Sequence, residues 1–249
     1  SSTFEYNGKI FTQEEIAYNS PNWVNATQTT LRIRASIYYP PNYNAQVGTL
    51  PGILVMHGLF NNKNETESLG KQLCDLNCVI IRTDHPGHGQ SEGAYPNPTN
   101  MYYQGQFNES AHIYLTICAA IQAIRVLESL PSVNDTKLAV TGISYGGLNS
   151  MYVGAIYSDK IRVVIPLIST GMLNVSNPEN LIFQTLGVTK DSIPQSYYAT
   201  KFRFFDPIAY LEKPDYPAIH WYVGTNDDFF GYSSMNATYN LINPTNGKS

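Results

Sequence analysis

The centre of the chain consists of short apolar runs separated by longer segments of mixed polarity. The runs Gly52–Met56, Cys78–Arg82 and Leu138–Thr141 have the short, nearly continuous apolar character of strands buried on both faces. The segments between them, Glu65–Leu76 and Asn108–Leu130, have a helical period, and the second has apolar residues at Ile113, Ile117, Ala120, Ile121, Ile124 and Leu127. Strands that alternate with helices predict a mainly parallel, doubly wound α/β sheet.

The same alternation extends towards both ends and predicts a single domain over residues 1–249, since no repeat or linker interrupts it. The further elements are strands at Lys9–Tyr18, Thr30–Tyr39, Ile161–Ile168 and Ala218–Val223 and helices at Gly147–Tyr157, Asp206–Leu211 and Gly231–Ile242. The segment 171–205 is irregular. We interpret it as an insertion that either caps the functional site or packs on the surface.

The chain carries few charges, which excludes one class of partner. Only 14% of the residues are charged and the formal net charge is −4, whereas average domains have about 25% charged residues. No cluster of lysine and arginine is present to bind a phosphate backbone, so we expect no nucleic-acid partner. The stretch Ile113–Leu127 is interrupted by Gln122 and Arg125. It falls short of the roughly 18 apolar residues of a membrane span, so we expect none.

The polar residues favour an extracellular or cell-surface protein. Asn, Ser, Thr and Tyr replace the missing charges, and the chain has 19 tyrosines. Acceptor sites for N-glycosylation, Asn-x-Ser/Thr, occur in modest excess over chance. Six asparagines have this motif: Asn25, Asn64, Asn108, Asn134, Asn174 and Asn236. We therefore expect a secreted glycoprotein, with an asparagine-rich surface as the alternative.

The cysteines and histidines give no sign of a disulfide scaffold or of a metal site. Three cysteines are too few for a scaffold. Cys74 and Cys78 either form a local disulfide or remain two buried thiols, and we expect Cys118 in the core. His85 and His88 lie in a loop rich in glycine and proline and have no evident third ligand. We expect neither a metal nor an organic cofactor.

A serine occupies a very tight turn after one of the buried runs. Gly142-Ile-Ser-Tyr-Gly-Gly147 follows the strand Leu138–Thr141 and precedes a helix. Such a turn requires small residues two positions before and after the serine. It exposes the serine Oγ beside a helix N-terminus, which favours a developing negative charge. The pattern predicts that Ser144 is a nucleophile, and the alternative is a glycine-rich turn with only a structural role.

The loop His57-Gly-Leu-Phe60 follows the strand Gly52–Met56, and ligands bind at such strand ends in parallel sheets. Acyl transfer requires backbone N–H groups that stabilise an oxyanion. We assign these donors to Tyr145 and to Leu59, with Phe60 as the alternative to Leu59. The His57 side chain is expected to shape the loop.

A pair of carboxylates follows the strand Ala218–Val223, in the sequence Gly224-Thr-Asn-Asp-Asp228. A carboxylate at this place can orient a catalytic imidazole and stabilise its charged form. Asp227 is the candidate acid and Asp228 the alternative. A turn that contains two acidic residues is the structural explanation.

Together these motifs resemble the α/β-hydrolase superfamily, over about residues 30–242. The loop Asp84-His-Pro-Gly-His-Gly-Gln-Ser-Glu-Gly93 also fits this resemblance. Two motifs are most similar to those of prolyl-oligopeptidase-type peptidases and acetyl-xylan-type esterases. They are Ser144-Tyr-Gly-Gly147, and Asp206-Pro-Ile-Ala-Tyr-Leu211 followed by Pro217. The resemblance implies a nucleophile at Ser144, an acid at Asp227 and hydrolysis of an ester or amide.

The chain departs from this superfamily after Asp227. The general base of the superfamily is a histidine that follows the acid, but the five histidines, His57, His85, His88, His112 and His220, all precede Asp227. No residues are left for the last strand and helix of the fold, so we expect an open sheet edge. A further C-terminal segment or a neighbouring subunit would complete the sheet.

Three explanations remain open at this stage. In the first, these residues are a fragment that is incomplete at its C-terminus, and the remainder supplies the base. In the second, His88 or His85 is the base. In the third, the domain does not hydrolyse anything. We therefore carry two functions: a secreted serine hydrolase that cleaves an ester or peptide bond, and a non-catalytic extracellular domain with a structural or cell-surface role.

Overall fold

The computed structural model of the protein describes residues 1–22, 27–97, 100–101, 111–171 and 206–242, and these residues contain one eight-stranded sheet. The strands are β1 (Ser2–Tyr6), β2 (Lys9–Pro21), β3 (Thr30–Tyr39), β4 (Leu50–Met56), β5 (Val79–Thr83), β6 (Val133–Ile143), β7 (Ile161–Leu167) and β8 (Ala218–Ile219). Their order in the sheet is β1-β2-β3-β5-β4-β6-β7-β8. The neighbours from β1 to β5 are antiparallel, and those from β5 to β8 are parallel. The predicted mainly parallel α/β fold is confirmed.

Helices cover both faces of the sheet. They are α1 (Glu67–Asp75), α2 (His112–Ser129), α3 (Tyr145–Ile156), α4 (Ile208–Leu211) and α5 (Tyr232–Leu241). Successive strand residues point to opposite faces, and Leu54 and Val55 of β4 accordingly belong to different apolar clusters. Leu54 packs in the cluster that contains residues of α2 and α3, whereas Val55 packs in the one that contains Cys74 of α1. This two-sided burial explains why β4 is apolar throughout.

The first strand was missed in the sequence. A hairpin joins β1 to β2 through Asn7 and Gly8, whose φ angles are 49° and 72°. Positive φ at both central residues is typical of the tight hairpin turn that Asn-Gly favours, so the dipeptide was the available signal. Phe4 of β1 stacks on Phe11 of β2 with ring centroids 5.2 Å apart, which adds an aromatic layer to the α1 face of the sheet.

Several predicted boundaries were displaced. A 3-10 turn, Lys63–Thr66, precedes α1, and α3 begins two residues before the predicted Gly147. Strand β6 is longer than predicted, whereas β8 is only two residues long and is continued by an isolated bridge between Leu167 and Tyr222. Residues 108–110 of the predicted second helix, and 172–205 of the predicted insertion, lie outside the described residues.

Strand β8 ends the sheet in the described part of the chain. It pairs with β7, and α5 is the one element that follows Asp227 there. No helix within the described ranges is long and apolar enough to cross a membrane. In the same ranges no disulfide joins Cys74, Cys78 and Cys118. Cys118 is half-buried, so its expected place in the core was wrong, because it lies at the edge of the apolar face of α2.

The packing of α3 on β7 generates a test of the fold. A Cβ atom at Gly154 of α3 would collide with Cγ2 of Val164 and lie 3.2 Å from Oη of Tyr216. Gly→Ala in an unobstructed helix stabilises it by about 1 kcal/mol. Because overpacking costs more, we expect Gly154→Ala to lower the free energy of unfolding in denaturant by about 1–3 kcal/mol. The double variant Gly154→Ala/Val164→Ala should recover part of this loss, and a Gly154→Ala protein more stable than wild type would contradict the packing.

Candidate active site

Ser144 lies alone between a strand and a helix. Strand β6 ends at Ile143 and α3 begins at Tyr145, and Ser144 has φ 53° and ψ −111°. A serine with positive φ is strained, and such strain is concentrated at functional sites. The backbone N–H of Ser144 donates to Leu167 O at 2.9 Å. The serine is half-buried, and its Oγ makes no hydrogen bond with any described residue.

Two glycines make this turn sterically possible. A Cβ atom at Gly142 would lie 2.5 Å from the carbonyl carbon of Gly146. A Cβ atom at Gly146 would collide with Met56 O and lie 2.7 Å from His57 O. The obstructing atoms belong to the backbone and have no rotamer by which to move away. The serine turn therefore lies directly against the carboxyl end of β4.

The loop after β4 brings further backbone donors to this edge. Leu59 is half-buried and Phe60 is exposed, with φ 64°. The N–H of Gly58 donates to Oε2 of Glu65 at 2.5 Å, which fixes the start of the loop. The backbone N–H groups of Leu59 and Tyr145 make no hydrogen bond with another residue that the structure describes, so both are available to an acceptor.

The carboxylate of Asp227 is held by its own loop. Oδ1 of Asp227 accepts hydrogen bonds from the N–H groups of Phe229 and Phe230, both at 2.8 Å. This arrangement leaves Oδ2 for another donor. Asp227 is half-buried, whereas Asp228 is exposed and its carboxylate has no hydrogen bond within the described residues. The loop follows β8, two strands from β6 along the same edge.

The family of the chain follows from comparison with known proteins. A model of the alpha/beta hydrolase fold matches residues 51–206. The chain belongs to the alpha/beta hydrolase family. No curated protein matches it.

Solved structures share the fold of this alpha/beta hydrolase at low sequence identity. It is similar to an acetyl xylan esterase from Paenibacillus sp. R4, with a TM-score of 0.67, 16% identity and coverage of 96% of this chain and 81% of the other. It is also similar to Est1E from Butyrivibrio proteoclasticus with bound ferulic acid, with a TM-score of 0.60 and 16% identity. That match covers 100% of this chain and 87% of the other. A putative dipeptidyl aminopeptidase IV from Bacteroides ovatus matches with a TM-score of 0.70 and 12% identity, over 94% of this chain and 31% of the other.

Four of the five histidines of this alpha/beta hydrolase form a buried cluster next to the serine turn. The ring centroid of His57 is 3.9 Å from that of His85 and 5.2 Å from that of His88. The ring centroids of His88 and His112 are 5.4 Å apart. All four side chains are almost completely buried. The cluster brings together the loops after β4 and β5 and the start of α2. No three His, Cys, Asp or Glu side chains in the described residues are arranged to hold a metal ion.

The hydrogen bonds of the cluster connect it to the serine turn. Nε2 of His57 accepts from the N–H of His85 at 3.0 Å, and Nε2–H of His85 donates to His57 O at 2.8 Å. Nε2 of His112 bonds to Pro86 O at 2.8 Å, and its Nδ1 is 3.0 Å from the hydroxyl of Tyr145. His57 must be neutral, because its Nε2 accepts a hydrogen bond. In a neutral His112 the proton lies on Nε2, which bonds to Pro86 O, and Nδ1 accepts from the hydroxyl of Tyr145.

Burial of the four clustered histidines also favours their neutral form. Desolvation lowers the pKa of His57 to about 3 and that of His112 to about 4, and it also lowers the pKa values of His85 and His88. The four side chains are therefore neutral at pH 7.

None of the five histidines hydrogen-bonds to Ser144. The alternative in which His85 or His88 is the base therefore finds no support. Nδ1 of His88 bonds to Pro86 O at 3.0 Å, and His85 is bonded to the backbone of His57. His220 follows β8 and has its ring centroid 4.7 Å from that of Tyr222. The histidine cluster itself could have been suspected, because its loops follow adjacent strands.

The six predicted glycosylation sites divide into two groups. Asn64 and Asn236 are exposed, and Asn134 is half-buried. Oδ1 of Asn134 accepts from both the N–H and the hydroxyl of Thr136, at 3.0 and 2.7 Å. The other three sites, Asn25, Asn108 and Asn174, lie outside the described residues. The sites remain predictions.

The neutral cluster predicts a loss of stability in mild acid. The unfolded chain binds protons at its histidines below about pH 6.5, whereas His112 and His57 in the folded protein do so only near pH 4 and pH 3. Because the unfolded state binds more protons in this interval, the free energy of unfolding decreases as the pH falls from 6.5. The slope approaches about 1.4 kcal/mol per pH unit for each such histidine.

Denaturant unfolding between pH 7 and pH 5 measures this slope, since few carboxylates titrate in that range. His112→Gln should reduce the slope, whereas His220→Gln, outside the cluster, should leave most of it. A stability that is constant over this range would contradict the neutral cluster.

Proposed function

We propose that this alpha/beta hydrolase is a serine hydrolase that cleaves an ester or peptide bond through an acyl-enzyme. The observation that carries the proposal is the strained backbone of Ser144, whose Oγ is left without a hydrogen-bond partner among the described residues. Strain at a residue whose side chain makes no hydrogen bond is characteristic of a positioned nucleophile. In the reaction, Oγ attacks the carbonyl carbon, its proton passes to a base, and the leaving group departs with that proton.

The oxyanion of the tetrahedral intermediate would be bound by the N–H groups of Tyr145 and Leu59. Both amides are without a partner among the described residues. The contact of Gly146 with the carboxyl end of β4 holds these two segments together, which supports the pairing of their amides. Such preorganised donors contribute several kcal/mol, since loss of one costs about 3–4 kcal/mol. Phe60 N–H remains the alternative to Leu59.

Asp227, rather than Asp228, is the proposed acid. Its carboxylate is fixed by two amides of its own loop and still has Oδ2 to accept an imidazole N–H. A fixed orientation is what the acid contributes, because it holds the imidazole in the correct tautomer. Asp228 is exposed and has no such anchor. Since no histidine of residues 1–249 bonds to Ser144, we assign the base to a histidine outside these residues.

The substrate class rests on the esterases and peptidases that share the fold, together with the chemistry of the site. Ester and amide hydrolysis use the same nucleophile and oxyanion donors, so the proposal includes both. We also propose that the protein is secreted and glycosylated. The exposure of Asn64 and Asn236 supports this, because a glycan at either position would extend into solvent.

A second function is favoured by one observation. None of the five histidines of residues 1–249 hydrogen-bonds to Ser144, so no general base is placed there within the described residues. The alternative proposal is a non-catalytic extracellular domain with a structural or cell-surface assembly role. A further segment or a neighbouring subunit that pairs with β8 would then serve assembly rather than catalysis.

A serine-directed fluorophosphonate tests the first function against the second. We expect the full-length protein to gain one phosphonyl adduct, with the peptide that contains Ser144 modified, because the P–F bond breaks as the Oγ–P bond forms. Intact mass and peptide mapping measure the adduct. Ser144→Ala should abolish it, whereas Ser158→Ala, at a half-buried serine whose hydroxyl donates to Asp215, should leave it unchanged. A folded protein without any adduct would favour the non-catalytic domain.

The choice of acid has a separate test in the rate of that labelling. Asp227→Asn should slow it by roughly 10²- to 10⁴-fold, as for loss of the acid in other serine hydrolases. Asp228→Asn should label at nearly the wild-type rate, because its carboxylate has no fixed orientation. The reverse result would transfer the role to Asp228. Thermal unfolding of both variants provides the control for folding, since Asp227 also accepts two bonds from its loop.

A further inference from the structure

Within the described residues, most of the exposed aromatic side chains lie towards the edge of the sheet that carries Ser144. Seven aromatic residues belong to the exposed large hydrophobics in the described part of the chain. Two of them, Tyr114 and Tyr239, lie within helices α2 and α5, and Tyr232 is the first residue of α5. The other four are in loops that follow the carboxyl ends of β4, β5 and β8: Phe60, Tyr95, Tyr222 and Phe229. Exposed apolar side chains grouped around one site indicate binding.

Phe60 and Tyr95 form the part of this group that is best defined. Their rings stack with centroids 5.8 Å apart and an interplanar angle of 29°. Phe60 is 48% exposed and Tyr95 is 51% exposed, so about half of each residue remains open to solvent. Phe60 also has φ 64°, an unfavourable conformation for a bulky residue. Strain that keeps a phenyl ring in solvent requires a reason other than burial.

The buried histidines hold this ring pair in place. Tyr95 packs against His88 with centroids 4.9 Å apart. His88 is buried and bonded to Pro86 O, which also binds His112. The carbonyl of Tyr95 accepts from Nδ2 of Asn100 at 3.0 Å. The two rings are therefore a preformed surface, and little conformational freedom is lost when a ligand binds to it.

The ring pair borders the proposed oxyanion donors. Phe60 follows Leu59 directly and is three residues beyond His57. The serine turn lies against the carbonyl groups of Met56 and His57. Phe60 therefore belongs to the loop that the serine turn contacts, next to one proposed oxyanion donor.

The charged side chains of these loops are engaged elsewhere. Lys63 bonds to Asp84 and Glu15 at 3.5 and 3.6 Å, and Glu65 accepts from the N–H of Gly58. A substrate group that binds here would meet two aromatic rings rather than an unpaired charge of these loops. This favours an uncharged ring.

We propose that Phe60 and Tyr95 form a subsite for an uncharged planar ring of the substrate. The proposal rests on the function proposed above and narrows its substrate class to esters or amides that carry an aromatic ring in the acyl group or in the leaving group. The attraction between two aromatic rings is stronger than the area that they bury explains. That difference corresponds to a preference of about 2- to 12-fold for a planar ring over a saturated ring of the same size.

Two matched pairs of ligands test the subsite. In the first assay, fluorophosphonates with a benzyl or a cyclohexylmethyl group on phosphorus compete for Ser144, and we expect the benzyl probe to react faster by about 2- to 12-fold. In the second assay, binding of benzamide and of cyclohexanecarboxamide is measured by NMR titration, which requires no reaction. We expect tighter binding of benzamide by a similar factor. A preference in both assays assigns the ring to the acyl group, and a preference in binding alone assigns it to the leaving group.

Substitution decides whether Phe60 and Tyr95 cause the preference. The double variant Phe60→Ala/Tyr95→Ala should reduce the preference for the aromatic ligand to about one in each assay. Phe60→Tyr should retain the preference. Tyr114→Ala on α2 provides an exposed aromatic control. Phe60→Leu is a second variant if the alanine pair unfolds. Equal binding of the two amides by wild type, or a preference that persists in Phe60→Leu and Tyr95→Leu, would overturn the subsite. If neither phosphonate reacts but benzamide is preferred through Phe60, the subsite stands and the catalytic proposal fails.

Discussion

The contact between the serine turn and the carboxyl end of β4 determines the geometry of the whole site. Gly146 lies against the carbonyl groups of Met56 and His57 so closely that no Cβ atom fits between them. Because this is backbone against backbone, no change of rotamer can relieve a larger residue. The contact joins the strained Ser144 to the loop that carries Leu59 and Phe60. The proposed nucleophile and the proposed oxyanion donors are thus parts of one unit.

The histidine cluster is hydrogen-bonded to this unit. His57 and His85 exchange bonds between side chain and backbone, and His112 accepts from Tyr145, the residue after the serine. Buried backbone groups need partners, and imidazole supplies a donor and an acceptor only while it is neutral. The same burial lowers the pKa values of the cluster. Histidines that must remain neutral for structure are poorly suited to accept the proton of Ser144.

The sequence allowed the fold and the serine turn to be predicted, because both depend on local patterns. Alternation of apolar runs and helical segments identified the buried strands, and Gly142 and Gly146 identified the turn. The first strand was missed because its signal was the Asn7-Gly8 dipeptide rather than an apolar run. The distinction between Asp227 and Asp228 depends on two amide bonds that no residue pattern reveals. The aromatic pair of Phe60 and Tyr95 joins loops 35 positions apart in the sequence, so its stacking appears only when the strands are paired.

The positions of Ser144 and Asp227 limit the kind of group that could serve as the proposed base. Their strands, β6 and β8, are separated by β7, which places the strand ends about 10 Å apart. A direct hydrogen bond cannot span that distance. An imidazole that hydrogen-bonds through both nitrogens joins two partner atoms about 8 Å apart. The side chains of Ser144 and Asp227 would have to extend towards each other to close the difference from the strand spacing. In the proposed site, Oδ2 of Asp227 and Oγ of Ser144, each without a partner among the described residues, are therefore the two atoms that a single histidine side chain would join.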